Sequence, residues 1–260
     1  MLGSPRRTAR ITAEDGRSLI VAFDHGIGGA NYAGMASPGR TLDDVISAGA
    51  DAVLTTIGMA EAFGSKLNRV GLILNLDLAT GNEEAAVRAV MAVGAEMGKF
   101  IMTPSNPAVP DSIGHAQHLA AVCHEWGLPL MVEPIPVSFS ATEFHTPEKI
   151  GQAARIACEI GADIVKMQFT GDAASFQEVM AALYRPVVIL GGPERSDDRG
   201  VLQGIHDAMN AGAIGVAIGR NIWNRERPAH MVAALGAIIH GGASVESAMR
   251  ELGGVVAVGR

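Results

Sequence analysis

Gly161-Ala162-Asp163-Ile164-Val165-Lys166-Met167-Gln168-Phe169 is a short apolar run with a single cation in its middle. A helical pattern precedes it and Thr170-Gly171-Asp172 ends it, so it reads as a buried strand. Strand side chains alternate between faces. Val165, Met167 and Phe169 therefore share one side, and Ile164, Lys166 and Gln168 the other. A lysine directed inward from such a strand either pairs its ammonium with a carboxylate or gives up its proton. An unprotonated amine in an enclosed site is the group that forms a Schiff base with a ketone or aldehyde. The chain has four lysines against sixteen arginines. The other three, Lys66, Lys99 and Lys149, read as belonging to helix-like or loop-like stretches, which leaves Lys166 as the isolated candidate.

The same grammar repeats along the chain. Strand-like runs at 19–23, 52–57, 71–76, 98–102, 128–132, 163–168, 187–190 and 215–218 alternate with alanine-rich segments whose apolar residues recur at spacings of three and four. Thr146-Pro147-Glu148 opens one of these helices, with threonine suited to the N-cap and proline to the first turn. Ser47-Ala48-Gly49-Ala50-Asp51-Ala52, Ile160-Gly161-Ala162-Asp163 and Asn210-Ala211-Gly212-Ala213-Ile214 each join a helix to the next strand through a glycine that suits a helix C-cap. Eight strands with helical connections predict a (β/α)8 TIM barrel, α/β in class and a single domain over residues 1–260. A doubly wound open sheet is the rival, but no G-x-G-x-x-G follows the first strand.

The composition narrows the function. The chain of 260 residues is 48% hydrophobic, has 32 glycines and carries a formal net charge of −7. That charge argues against nucleic acid as the partner and confines anion binding to a local basic site. Cys123 and Cys158 read as reduced core residues of a cytoplasmic protein. Ser4-Pro5-Arg6-Arg7 has no apolar region after it and is not read as a twin-arginine signal. No apolar run approaches the ~18 residues that a membrane span requires, so no membrane partner is expected.

Reactive groups in such a barrel sit at the carboxyl ends of the strands. After the first strand, Ile20, Ala22 and Asp24 share the inward face. Asp24 is either a general base, a partner that holds the lysine, or a cap for the next loop. His25 either braces that loop or takes part in proton transfer. Glu133 ends the fifth strand. It is a candidate acid or base whose pKa rises with burial if no cation is near, or an ion-pair partner of Lys166. Asn75 and Asp77 end the third strand as weaker candidates for polyol contact. Gly191, Gly192, Gly219 and Arg220 follow strands seven and eight, where backbone N–H groups seat a phosphate in many barrels or simply form tight turns. Gly26-Ile27-Gly28-Gly29 reads as a mobile loop beside the site. The segment 138–145 reads as a second covering loop from which His145 reaches inward. His115, His118 and His124 read as surface histidines rather than metal ligands. No metal and no cofactor are expected.

Phe23-Asp24-His25-Gly26, the Lys166 strand, Val188-Ile189-Leu190-Gly191-Gly192-Pro193 and Gly215-Val216-Ala217-Ile218-Gly219-Arg220-Asn221-Ile222-Trp223 resemble the archaeal-type class I aldolase family. That group includes class I fructose-bisphosphate aldolases, aminodideoxyheptulosonate synthases and an autoinducer-2 thiolase. The resemblance implies Lys166 as the Schiff-base lysine, Asp24 as an active-site carboxylate, and a phosphate held by Gly191, Gly192, Gly219 and Arg220. It also implies a homo-oligomer, a pentamer or decamer. One position departs from the pattern. The family's tyrosine proton donor, in a Tyr-Pro context after strand five, is matched here by Ile135 before Pro136. The expected activity is therefore a Schiff-base lyase that breaks or forms a carbon–carbon bond in a small phosphorylated keto or sugar substrate, with Glu133 or His145 moving the proton. A coenzyme A-dependent thiolase acting on a phosphorylated diketone, and a barrel that binds sugar phosphates without catalysis, are the competing readings.

Overall fold

A computed structural model describes residues 5–29 and 32–253; Ser4 of the Ser4-Pro5-Arg6-Arg7 stretch lies outside them. Eight strands run in chain order: β1 Ser18–Ala22, β2 Ala52–Thr55, β3 Gly71–Asn75, β4 Met97–Met102, β5 Leu130–Pro134, β6 Ile164–Met167, β7 Val187–Leu190 and β8 Gly215–Ile218. Every neighbouring pair is parallel, and β8 pairs with β1, with Leu19 opposite Val216. This closure excludes the open doubly wound sheet. The expected strands all exist, with ends displaced by a residue or two. β5 is shifted by two residues at both ends, which places Glu133 and Pro134 within it.

Glycines make the turns from helix to strand. Gly49, Gly161 and Gly212 all have φ between 102° and 105°, a left-handed conformation that a Cβ disfavours. The residue after each glycine donates its N–H back to the helix: Ala50 to Val45, Ala162 to Ala157 and Ala213 to Ala208, at 3.0–3.2 Å. In two of these turns, and in Gly94-Ala95-Glu96, the next residue is an acid that pins a neighbouring strand. Asp51 accepts from the Leu19 N–H, Glu96 from that of Leu72 and Asp163 from that of Leu130, at 2.7–2.9 Å. At the opposite helix ends, Thr146 accepts from the Lys149 N–H with Pro147 at the first helical position, as its sequence predicts.

Two apolar layers follow from strand alternation. Outward residues such as Leu19, Val21, Phe23, Val165 and Met167 pack against the helices. Inward residues Ile20, Ala22, Ile73, Met97, Met131, Ile164, Val188 and Ala217 fill the barrel. Ile11, from the segment before β1, is fully buried with this inner set and plugs the amino-terminal end. Cys123 and Cys158 are buried and unpaired. Ile11→Ala should leave a void at the base of the barrel and destabilise the fold by about 2–5 kcal/mol. A urea melt would show this as a lower midpoint at unchanged m-value, and an unshifted midpoint would mean that the plug is not packed.

Candidate active site

The inward row one step further along each strand is polar. Ala22 is followed at this level by Asp24, Ile73 by Asn75, Met97 by Lys99, Met131 by Glu133 and Ile164 by Lys166. All five polar residues are buried. The barrel thus has an apolar floor and, above it at the carboxyl ends of five strands, a layer of buried polar and charged side chains.

Glu133 is the hub. Its Oε2 lies 3.0 Å from Lys166 Nζ and 2.9 Å from Lys99 Nζ. Lys99 also meets Asp77 at 2.9 Å and Asp24 at 3.9 Å. Asn75 Nδ2 donates to Asp24 at 2.6 Å and to Asp77 at 2.7 Å. Asp77 is fixed in turn by accepting the Ile101 N–H at 2.7 Å. Of the two arrangements that the sequence leaves open for Lys166, the carboxylate pair is the one present.

These contacts set the protonation states. Burial alone would raise the Glu133 pKa, but Lys166 and Lys99 hold it below the usual carboxylate range. The condition for a raised value, absence of a nearby cation, is not met. Burial also opposes ionisation of Asp24, yet Lys99, Lys166 and the Asn75 hydrogen bond hold its carboxyl low. Burial disfavours the Lys99 ammonium, and Glu133, Asp77 and Asp24 outweigh it and raise its pKa above the ordinary lysine value.

Lys99 is thus the residue that the sequence reading misplaced. It lies in β4 facing inward and is 2% exposed, not in a helix or loop. The signal was present: the same alternation that turns Lys166 inward applies to Met97, Lys99 and Ile101.

His25 begins a short 3₁₀ turn, His25–Gly28, where a loop was expected. Its Nδ1 is 3.6 Å from Asp24, and its ring packs edge-on against Trp223. Burial pushes its pKa down against the pull of Asp24. A Cβ at Gly219 would overlap both the His25 ring and the Ala22 carbonyl oxygen, so this glycine serves a close approach of chains. Trp223 Nε1 donates to the same carbonyl at 2.8 Å.

Arg220 lies over the β7 loop, with one guanidinium nitrogen 3.3 Å from the Gly192 carbonyl and another 3.4 Å from the Tyr32 hydroxyl. Asn221, fully buried and not anticipated as a positioning group, clamps that loop. Its Nδ2 donates to the Gly191 and Pro193 carbonyls at 2.8 and 3.1 Å, and its Oδ1 accepts the Arg195 N–H at 2.9 Å. Gly191, Gly192, Pro193 and Arg195 border a cleft of about 440 Å³ that extends to Gln168 and His145.

His145 bonds to Gln168 and to the Ser138 carbonyl, not to Lys166 or Glu133. His124 is not a free surface group, since it pairs with Asp163 at 3.1 Å, and His115 lies 3.7 Å from Glu83. Ile135 is completely buried directly after Glu133 and Pro134. Tyr184 is exposed and remote from the inward layer, while Tyr32 stands beside Arg220.

Comparison with known proteins agrees with this architecture. The family model described as DeoC/LacD family aldolase matches residues 18–225. The 2-amino-3,7-dideoxy-D-threo-hept-6-ulosonate synthase of Halobacterium salinarum is 35% identical, with 98% of each chain aligned. The class 1 fructose-bisphosphate aldolase of Thermoproteus tenax is 32% identical over 90% of this chain and 93% of its own. Among solved structures, an archaeal fructose-1,6-bisphosphate aldolase with its catalytic lysine covalently bound to the carbinolamine intermediate superposes with a TM-score of 0.80. It is 29% identical over 91% of this chain and 99% of its own. A Schiff-base-forming fructose-1,6-bisphosphate aldolase gives 0.79 at 30% identity over 90% and 98%. A lysine-bearing barrel with this match along nearly its whole length belongs to the DeoC/LacD aldolase family and is an enzyme of the Schiff-base, class I type.

Proposed function

We propose that Lys166 is the Schiff-base lysine of this aldolase and that its substrate is a small phosphorylated ketone or sugar. The observation that carries the reading is the Lys166–Glu133 pair, 3.0 Å apart, at the carboxyl end of β6 inside the barrel. Lys166 must lose a proton before its nitrogen can add to a carbonyl carbon. Glu133 is the acceptor already in hydrogen-bond contact. The nitrogen then adds to the carbonyl to give a carbinolamine. Glu133 returns the proton to the carbinolamine hydroxyl, which leaves as water and gives an iminium. The iminium is a cation at the position of the former ammonium, so Glu133 stabilises it in the same place. It draws the electrons of the adjacent carbon–carbon bond, which breaks to an enamine as a carboxylate takes the proton of the neighbouring hydroxyl. Asp24, held ionised on the β1 side of the same layer, or Glu133 is suited to that step.

Lys99 complements this chemistry by staying charged. It keeps Glu133 ionised and holds Asp77 in place while Lys166 changes its bonding. The phosphate is assigned to the β7 and β8 ends, where Arg220 stands over Gly192 and Asn221 orders the loop. Gly219, at the β8 end, is assigned to the same phosphate seat as Gly191 and Gly192, and its missing side chain lets His25 and Trp223 close in. His25 is assigned to bracing the Asp24 loop.

A cytoplasmic homo-oligomer completes the proposal. The unpaired thiols suit a reducing compartment. Leu78 and Ile57, exposed beside a small apolar hollow, suit a subunit contact. Light scattering should return a multiple of the 26.9 kDa chain mass; the monomer mass would end that part of the proposal.

Borohydride added with dihydroxyacetone phosphate should inactivate the enzyme and label Lys166 in peptide mass mapping. Labelling at another residue, or none, would refute the assignment. Glu133→Gln should lower kcat by roughly 10²- to 10⁴-fold while Lys166 remains the labelled residue. Retention of full activity would remove Glu133 from the mechanism.

Lys99→Met tests the electrostatics. Carboxyls with a depressed folded pKa stabilise the fold above their unfolded value of about 4, and that stability is lost as pH falls. Removing the Lys99 charge leaves Glu133 and Asp24 under-compensated, so the variant should lose about 3–5 kcal/mol near neutral pH. The deficit should narrow toward pH 4 as these groups take up protons. A deficit independent of pH in denaturation curves would show that Lys99 acts by packing alone.

A further inference from the structure

His145 and Gln168 form an ordered dyad that the proton transfers above do not use. The Ser138 carbonyl can only accept, and it lies 2.9 Å from His145 Nε2, so that nitrogen carries the ring proton. In the neutral ring Nδ1 is then an acceptor, and Gln168 Nε2 meets it at 2.9 Å. Two hydrogen bonds therefore fix which end of the Gln168 amide faces the histidine. The other end, Oε1, is buried and has no hydrogen-bond partner among the described residues. A buried carbonyl acceptor without a donor is unfavourable, and native proteins rarely leave one so. Gln168 lies on the Lys166 side of the β6 alternation, two residues and roughly 7 Å further toward the mouth. With His145 it lines the cleft that also runs past Gly191, Gly192 and Arg195.

We propose that Gln168, oriented by His145, is a specificity-determining residue whose Oε1 accepts a hydrogen bond from a substrate hydroxyl on a carbon next to the iminium carbon. The inference deepens the proposed function and rests on its Schiff-base reading. An amide oxygen discriminates by chemistry: a hydroxyl supplies the missing donor, whereas a methyl or a carbonyl at that carbon leaves Oε1 unpaired. The substrate class is accordingly a hydroxylated phosphoketone rather than a deoxy or diketo analogue. His145 acts through Gln168 and is a positioning residue. Its ring holds the amide NH₂ toward itself and so fixes Oε1 as the opposite end.

The test compares two three-carbon probes, dihydroxyacetone phosphate and hydroxyacetone phosphate, which differ only in that hydroxyl. The readout is the concentration of each that gives half-maximal borohydride inactivation. Wild type should respond to the hydroxylated ketone at roughly 10- to 100-fold lower concentration. Gln168→Met, close in size but lacking the amide, should bring the two probes within about threefold of each other, with Lys166 still the labelled residue. His145→Ala should narrow the preference in the same direction, and it provides the test if the first variant does not fold. An unchanged preference in both variants would overturn the inference and leave the Schiff-base reading standing. Failure of wild type to be trapped by either ketone would overturn that reading, and this inference with it.

Discussion

One carboxylate oxygen, Glu133 Oε2, accepts two ammonium groups inside the barrel, and the rest of the site is arranged around that contact. Burying charges is unfavourable in itself, and it is tolerated only when pairing and hydrogen bonding compensate. Here the compensation is distributed. Lys99 is shared among three carboxylates, Asp77 is tied to a β4 backbone N–H, and Asn75 spans Asp24 and Asp77. The arrangement favours a cation at the Lys166 position. An ammonium and an iminium are both such cations, so in the proposed mechanism the same carboxylates face the resting lysine and the covalent intermediate. On the proposed mechanism the unprotonated amine forms by passing one proton over the 3.0 Å hydrogen bond to Glu133.

This layer exists because of strand periodicity. A parallel barrel turns every second side chain inward, and the first inward level here is wholly apolar. That floor excludes water and packs tightly enough to fix the strands in register. The level above inherits its precision. Met131 and Glu133, Met97 and Lys99, and Ile164 and Lys166 are separated by one alternation on the same strands. Acids in the Gly-Ala-Asp and Gly-Ala-Glu turns, binding the N–H groups of neighbouring strands, set the same register from the opposite end.

Much of the fold and part of the site are legible in the sequence, for identifiable reasons. Strand runs and glycine C-caps are local signals, and both appear where the pattern puts them. Alternation places Asp24 and Lys166 correctly, because their strands are strongly apolar on both sides. Lys99 reads as helix-like or loop-like rather than inward, since Met97-Gly98-Lys99-Phe100 lacks the clean apolar frame of Ile164-Val165-Lys166-Met167. The Glu133 protonation state was undecidable without Lys99. Asn221 and Gln168 depend on contacts to the β7 loop and to a loop after β5, and no local pattern reports such contacts.

Ile135 makes the proton inventory of this chain differ from the tyrosine-bearing pattern it resembles. A phenol near neutral pH is a proton donor that needs no prior charging. A carboxylate held in the ionised form by two lysines is a base, and it becomes a donor only after receiving a proton. In the mechanism proposed above, the proton that leaves Lys166 is the one that Glu133 then has available for the carbinolamine hydroxyl. On that proposal amine activation and water loss are coupled through one carboxylate, and neither step calls on a donor from the buried, apolar Ile135.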